Sequence, residues 1–171
     1  MKPINTAEQF NNSRTYVVAN SCAIEMYMNL IISKHYFPKP NYDFIANVLE
    51  NQYSNAALRI SLLMHSIPDE IPVKGYKDKL LRLGSIRNIY AHNLPITVDK
   101  TDTTLWFFKN PKGAGAESIL AEELADEFVK LFEELQNWLL DIIHKTGAAE
   151  GSSKDEALRH DLGKTYDSLF S

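Results

Sequence analysis

The string Arg87-Asn88-Ile89-Tyr90-Ala91-His92 holds the side chains of this chain best suited to chemistry. A histidine gains or loses a proton near neutrality, and a guanidinium binds anions through paired hydrogen bonds. Both lie at the end of one stretch, Tyr76 to Pro95, in which Leu80, Leu83, Ile86 and Tyr90 recur at helical spacing. Asn93 and Pro95 supply the stop, because proline disfavours helical geometry in the residue before it. On that helix Arg87 falls about 20° from Leu80, within the apolar stripe, so its charge needs an anionic or carbonyl partner. Glu25 is the carboxylate expected to supply it. Asn88 and His92 are four residues apart and share a face. Arg87 and His92 are about 140° apart around the axis, so they diverge unless the last turn loosens. The helix presents its arginine and histidine to two different neighbours, or across a symmetric interface. The plainer alternative makes Arg87 a structural ion-pair residue and His92 a side chain favoured by the negative end of the helix dipole.

The charge around this helix is uneven. The chain carries a net charge of −4, which does not suggest a general nucleic-acid binder. Between Lys74 and His92, however, Lys74, Lys77, Lys79, Arg82 and Arg87 face a single acid, Asp78. Such a strip suits phosphate contacts, with Lys74, Lys77 and Arg82 as candidate substrate-binding residues, although a solvated helix face explains individual lysines equally well. Acidity gathers instead between Glu117 and Glu134.

Arg-Asn-x-x-Ala-His, preceded by Leu-x-x-Leu-Gly-x-Ile, resembles the Arg-x4-His signature of the HEPN superfamily (higher eukaryotes and prokaryotes nucleotide-binding). The stretch Ala57 to His92 is also similar to the mannitol-operon-repressor group within that superfamily. The resemblance implies a mainly α fold, a bundle of four to five helices that dimerises through the motif helices. It implies a metal-independent endoribonuclease, of the kind found in toxin–antitoxin, phage-defence and RNA-processing systems. Catalytic roles then fall to His92, which moves the protons of the ribose 2′-hydroxyl and the leaving 5′-oxygen, and to Arg87, which stabilises the phosphorane. Asn88 orients the phosphate or His92. A homodimer gathers two copies of each group at a two-fold axis. Where superfamily toxins paired with a nucleotidyltransferase antitoxin carry a tyrosine, this chain has Leu94, so modification is not expected there. The mannitol-repressor likeness implies a different class of function, a non-catalytic module in transcription regulation or protein interaction. RNA, an antitoxin or another protein are the partners these alternatives imply.

The elements that must position the motif follow from the rest of the chain. Asn5 and Glu8 form a capping-box-like start to a helix from about Thr6 to His35, apolar on more than one side through Val17, Val18, Ile24, Met28, Ile31 and Ile32. Cys22, among Ala19, Ala23 and Met26, is expected to be a small core residue. Asn41 caps a second helix, Tyr42 to about Gln52, with Phe44, Ile45, Val48 and Leu49 inward; Ser54 caps a third, to about Ser66. Pro68, Pro72 and Gly75 mark a loop before the motif helix. After Pro95, ITVD and TTLWFF read as a small β-hairpin insertion with a turn around Lys100 to Thr103, and Ser118 to Leu120 as a short added strand. Trp106, Phe107 and Phe108 either pack the hairpin on the bundle or stack bases. The strongest helix runs from Ala121 to about Lys145 through Leu124, Phe128, Leu131, Leu135, Trp138, Leu139 and Ile142. Residues 1–146 form the helical domain; residues 147–171 are a polar linker and a weakly amphipathic tail.

Composition excludes several classes. No apolar run reaches the roughly 18 residues of a membrane span, and MKPINTAEQF lacks a signal-peptide core, so a cytoplasmic protein without membrane association is expected. A single cysteine forms no intrachain disulfide. His35, His65, His144 and His160 are scattered, without the spacing of a metal site, and no cofactor is expected. NPKGAG lacks the Walker pattern, and no dinucleotide or nucleophile-elbow motif occurs.

Overall fold

Helix boundaries in this chain are set by side chains that satisfy terminal backbone groups. The computed structural model describes residues 4, 6–39, 41–50, 55–93, 96–97, 105–108 and 118–148, with only the backbone described at 7, 96–97, 105–108 and 118. Helix α1 (Ala7–Tyr36) opens with a reciprocal capping box. Thr6 Oγ1 accepts from the Gln9 amide at 3.2 Å, and Gln9 Oε1 accepts from the Thr6 amide at 3.1 Å. The cap thus lies one residue after the expected Asn5. Asn41 caps α2 (Tyr42–Phe44), accepting from the Phe44 amide at 2.9 Å. The expected continuation to Gln52 is replaced by a wider π-helical turn, Ile45–Leu49, closed by Glu50 N–H donating to Ile45 O at 2.9 Å. That turn buries Ile45 and Leu49 and leaves Val48 exposed, correcting its inward placement. Asn55, rather than Ser54, caps α3 (Ala56–Ser66) by accepting from the Leu58 amide at 2.8 Å.

Helix α4 (Tyr76–His92) starts after Gly75, whose φ of +84° is a left-handed conformation that favours glycine. Helix α5 (Ala121–Thr146) ends where Gly147, at φ +64°, lets Ala148 N–H reach back to Ile143 O at 3.0 Å, a Schellman closure. Between α4 and α5, β1 (Ile96–Thr97), β2 (Leu105–Phe108) and β3 (Ser118–Leu120) pair antiparallel in the order β1-β2-β3. Ile96 stands opposite Trp106, and Trp106 opposite Leu120. The fold is mainly α, a helical bundle with the small β insertion after the motif helix. The hairpin turn, the glycine loop, the Trp106–Phe108 side chains, Leu94 and the tail from residue 149 lie outside the described residues.

The chain divides into two compact units. One comprises Met1–Cys22 and Arg82–Glu134. Its core is aromatic. Phe10 stacks on Tyr90 with centroids 5.9 Å apart, and Tyr16 meets Phe128 and Phe132 edge-on at 6.1 and 6.4 Å. Tyr90 is fully buried and donates its hydroxyl proton to Ala121 O at 2.6 Å. Burial, and secondarily the charge of Asp126, hold that hydroxyl above its usual pKa range.

The other unit comprises Ala23–Leu81 and Leu135–Ser171. Tyr76 stacks flat on Trp138 at 4.1 Å, and Trp138 Nε1–H donates to Pro72 O at 3.2 Å, which ties the loop to α5. Burial also raises the Tyr27 pKa, opposed by its side-chain hydrogen bond with Gln136. Buried Asn29 donates to Glu50 at 3.2 Å, and Ser33 Oγ accepts from the Asn41 amide at 2.7 Å. Cys22 lies on an exposed face of α1, not in the core as expected. Among the described residues, no helix is long and apolar enough to cross a membrane.

Candidate functional site

The end of α4 is built by contrast between its faces. Leu80, Leu83, Ile86 and Tyr90 are buried, the last two completely. That fixes the rotation of the helix and leaves Arg87 partly buried, with Asn88 and His92 exposed. The helical bonding persists to the end, since Asn93 N–H donates to Ile89 O at 2.9 Å. The last turn therefore does not loosen, and Arg87 and His92 keep their angular separation of about 140°.

Arg87 Nη1 donates to Asn88 Oδ1 at 2.9 Å. The two residues are thus joined side chain to side chain, which the sequence expectation had not specified. The Arg87 Nε–H is buried without a hydrogen-bond partner, and no carboxylate pairs with Arg87 among the described residues. Glu25, expected to neutralise it, is instead held by Arg59 at 3.0 Å. Glu25 and Arg59 belong to the same compact unit, on α1 and α3, and a guanidinium only 13 % exposed takes the available carboxylate.

The basic strip is also partly spoken for. Arg82 makes a bidentate pair with Glu127, Nε and Nη2 each 2.6 Å from a carboxylate oxygen. That pairing raises the already high Arg82 pKa and occupies the fork that phosphate binding would use. In this structure Arg82 ties α4 to α5 through that pair. Lys79 lies over the Tyr76 ring, 5.0 Å from its centroid. Lys74 and Lys77 are exposed, in the loop and in the first turn of α4. They belong to the unit that also holds Glu25, whereas Arg82, Arg87, Asn88 and His92 lie in the other.

One residue escaped the sequence reading. Arg14 of α1 donates Nη2–H to the carbonyl of Ala91 at 2.7 Å. Ala91 immediately precedes His92, and its carbonyl is among the last four of α4, which have no acceptor role within the helix. Arg14 satisfies it and places a cation at the negative end of the helix. The available signal was its position in α1 beside Phe10, Ser13 and Val17, all buried, where a cation must seek a partner.

Chemically, the arrangement offers a guanidinium with spare donors, an amide already hydrogen-bonded to it, and an exposed imidazole. All three sit on a helix end anchored by Tyr90 and Arg14. Comparison of the chain with protein-family models, characterised proteins and solved structures finds no match.

Proposed function

We propose that the protein is a metal-independent endoribonuclease of HEPN type, acting in the cytoplasm as a homodimer, in phage defence or a toxin–antitoxin pair. The observation that carries this reading is the state of Arg87. Its guanidinium is partly buried, lacks a carboxylate among the described residues, and has an unpartnered Nε–H. A partly buried charge left without a carboxylate suits a phosphate better than a structural pair.

In this proposal an imidazole takes the proton of the ribose 2′-hydroxyl. The 2′-oxygen bonds to phosphorus, and the bond to the 5′-oxygen breaks. That oxygen leaves with the proton that the imidazolium returns, giving a 2′,3′-cyclic phosphate, a 5′-hydroxyl end and a neutral imidazole. Arg87 donates to the non-bridging oxygens as charge builds on the phosphorane, and Asn88 fixes the guanidinium plane. His92 moves the protons, and a second copy supplies the complementary group across a two-fold axis.

A second reading also has an observation behind it. The Arg82–Glu127 pair removes one cation from the basic strip of a chain already at −4. That favours a non-catalytic regulatory or interaction module, similar to the mannitol-operon-repressor group. A gel assay of structured RNA in EDTA, wild type beside His92→Ala, separates the two. Cleavage by the wild type alone supports the nuclease. No cleavage of several RNA classes by the folded protein supports the module.

A further inference from the structure

His35 and His65 are thirty residues apart in the chain and gave no metal-ligand spacing in sequence. The fold brings their rings to a centroid separation of 5.7 Å, with planes inclined at 66°. Each stands in the last turn of its helix, His35 in α1 and His65 in α3, and both are exposed. Neither imidazole makes a hydrogen bond or ion pair among the described residues; the contacts they make are with each other and, for His35, with the Tyr36 ring at 4.9 Å. All four ring nitrogens are therefore uncommitted to protein partners.

We propose that His35 and His65 form a two-histidine site for a divalent transition-metal ion of the zinc class. Three features converge on it. Two imidazoles on one zinc, each at about 2.0–2.1 Å, place their ring centroids about 5–6 Å apart. The observed 5.7 Å lies in that range, and both side chains are exposed. Two helix C-termini meet here, and each contributes roughly half a negative charge to a cation. The one ammonium adjacent in sequence, Lys34, is drawn aside by its hydrogen bond to Pro38 O at 2.9 Å. No group of three or more His, Cys, Asp or Glu side chains suited to a metal occurs among the described residues, so water completes the coordination. Such a site has open positions and moderate affinity. It stands independently of the ribonuclease proposal, whose chemistry uses neither residue.

The test is calorimetric titration of the tag-free full chain with Zn²⁺, for wild type, His35→Ala, His65→Ala and His144→Ala, with circular dichroism to verify that each is folded. The expected result is one saturable site per chain in the micromolar range. Each of the first two variants weakens it by at least about tenfold, as loss of half the protein ligands requires, and His144→Ala leaves it unchanged. A second measurement guards against misfolding: broadening of the His35 and His65 imidazole resonances by substoichiometric Cu²⁺, before those of the other histidines. Wild-type affinity no better than that of the His35→Ala variant overturns the site. So does broadening that begins at any other histidine.

Discussion

Replacing Arg87 by methionine is the perturbation that best separates a phosphate-binding arginine from a structural one. Methionine retains the apolar stem and deletes the guanidinium. It removes the hydrogen bond from Nη1 to Asn88, which faces solvent and contributes about 0.5–1.5 kcal/mol. It also removes the buried, unpartnered Nε–H, whose desolvation costs about 1–3 kcal/mol. The balance runs from a loss of about 0.5 kcal/mol to a gain of about 2.5 kcal/mol. A guanidinium serving as half of a buried ion pair gives instead a loss of about 3–5 kcal/mol. Urea unfolding followed by far-ultraviolet circular dichroism reads the difference as a shift in midpoint at constant slope. Both proteins must be compared at one concentration, because association adds to apparent stability. The expected Arg87→Met protein loses no more than about 0.5 kcal/mol relative to wild type and does not cleave RNA. A loss above about 2 kcal/mol refutes the reasoning, because it means that the charge is neutralised in the fold and is not held for a ligand.

Three further outcomes follow from contacts around the same helix. Tyr90→Phe should lose about 1–3 kcal/mol at neutral pH, since the Ala121 carbonyl keeps no hydroxyl donor. Because the folded-state pKa of Tyr90 lies above the ordinary 10.0, its contribution is fully present below pH 10 and declines as pH rises further, when the unfolded chain releases the proton first. The wild-type and Tyr90→Phe stability curves, measured by urea titration at stepped pH, should therefore converge above pH 10. In a double-mutant cycle with Arg82→Met and Glu127→Gln, coupling should be only about 0.2–1 kcal/mol, because both side chains are more than a third exposed. Arg14→Met should cost about 1.5–3 kcal/mol and speed hydrogen exchange at the amides of residues 91–93, where the last turn of α4 loses its clamp.

What could be read from the sequence divides along physical lines. Helices α4 and α5 lie close to their expected spans because their apolar stripes are long and periodic, and because Gly75 and Gly147 punctuate them. The start of α1 was misplaced by one residue because Asn5 and Thr6 are both good caps in sequence. Only the Thr6–Gln9 hydrogen bonds decide between them. The π-turn after Phe44 was not legible, since widening one turn to bury Ile45 and Leu49 is a response to packing rather than a local propensity. Cys22 was misjudged because α1 buries residues on several sides, which blurs the phase of its exposed face. The candidate site shows the same limit more sharply. The sequence identified Arg87, Asn88 and His92 as groups worth attention, but not which cation meets which carboxylate. Arg59 took Glu25, and Glu127 took Arg82, through contacts between segments far apart in the chain.

Those pairings sharpen the case for a site made by two chains. Along α4, Arg82 is consumed by Glu127, so it cannot assist Arg87 at a phosphate without breaking a bidentate pair. The distance from Arg87 to His92 along the axis is about 7.5 Å, and they diverge by about 140°. A helix that stays regular through Asn93 offers no bend to bring them onto one scissile bond. If cleavage occurs, the complementary group comes most economically from a second α4 across a two-fold axis. Mixing then has a specific consequence. On the proposed reading, Arg87→Ala and His92→Ala homodimers are each inactive. After subunit exchange about half of the dimers are mixed, each retaining one Arg87 and one His92. Cleavage should reappear in the mixture if the two groups act across the interface. If both must come from one chain, neither parent nor mixture contains a competent chain, and the mixture stays silent. A silent mixture whose exchange has been verified by differently tagged subunits would remove the composite site while leaving the fold untouched.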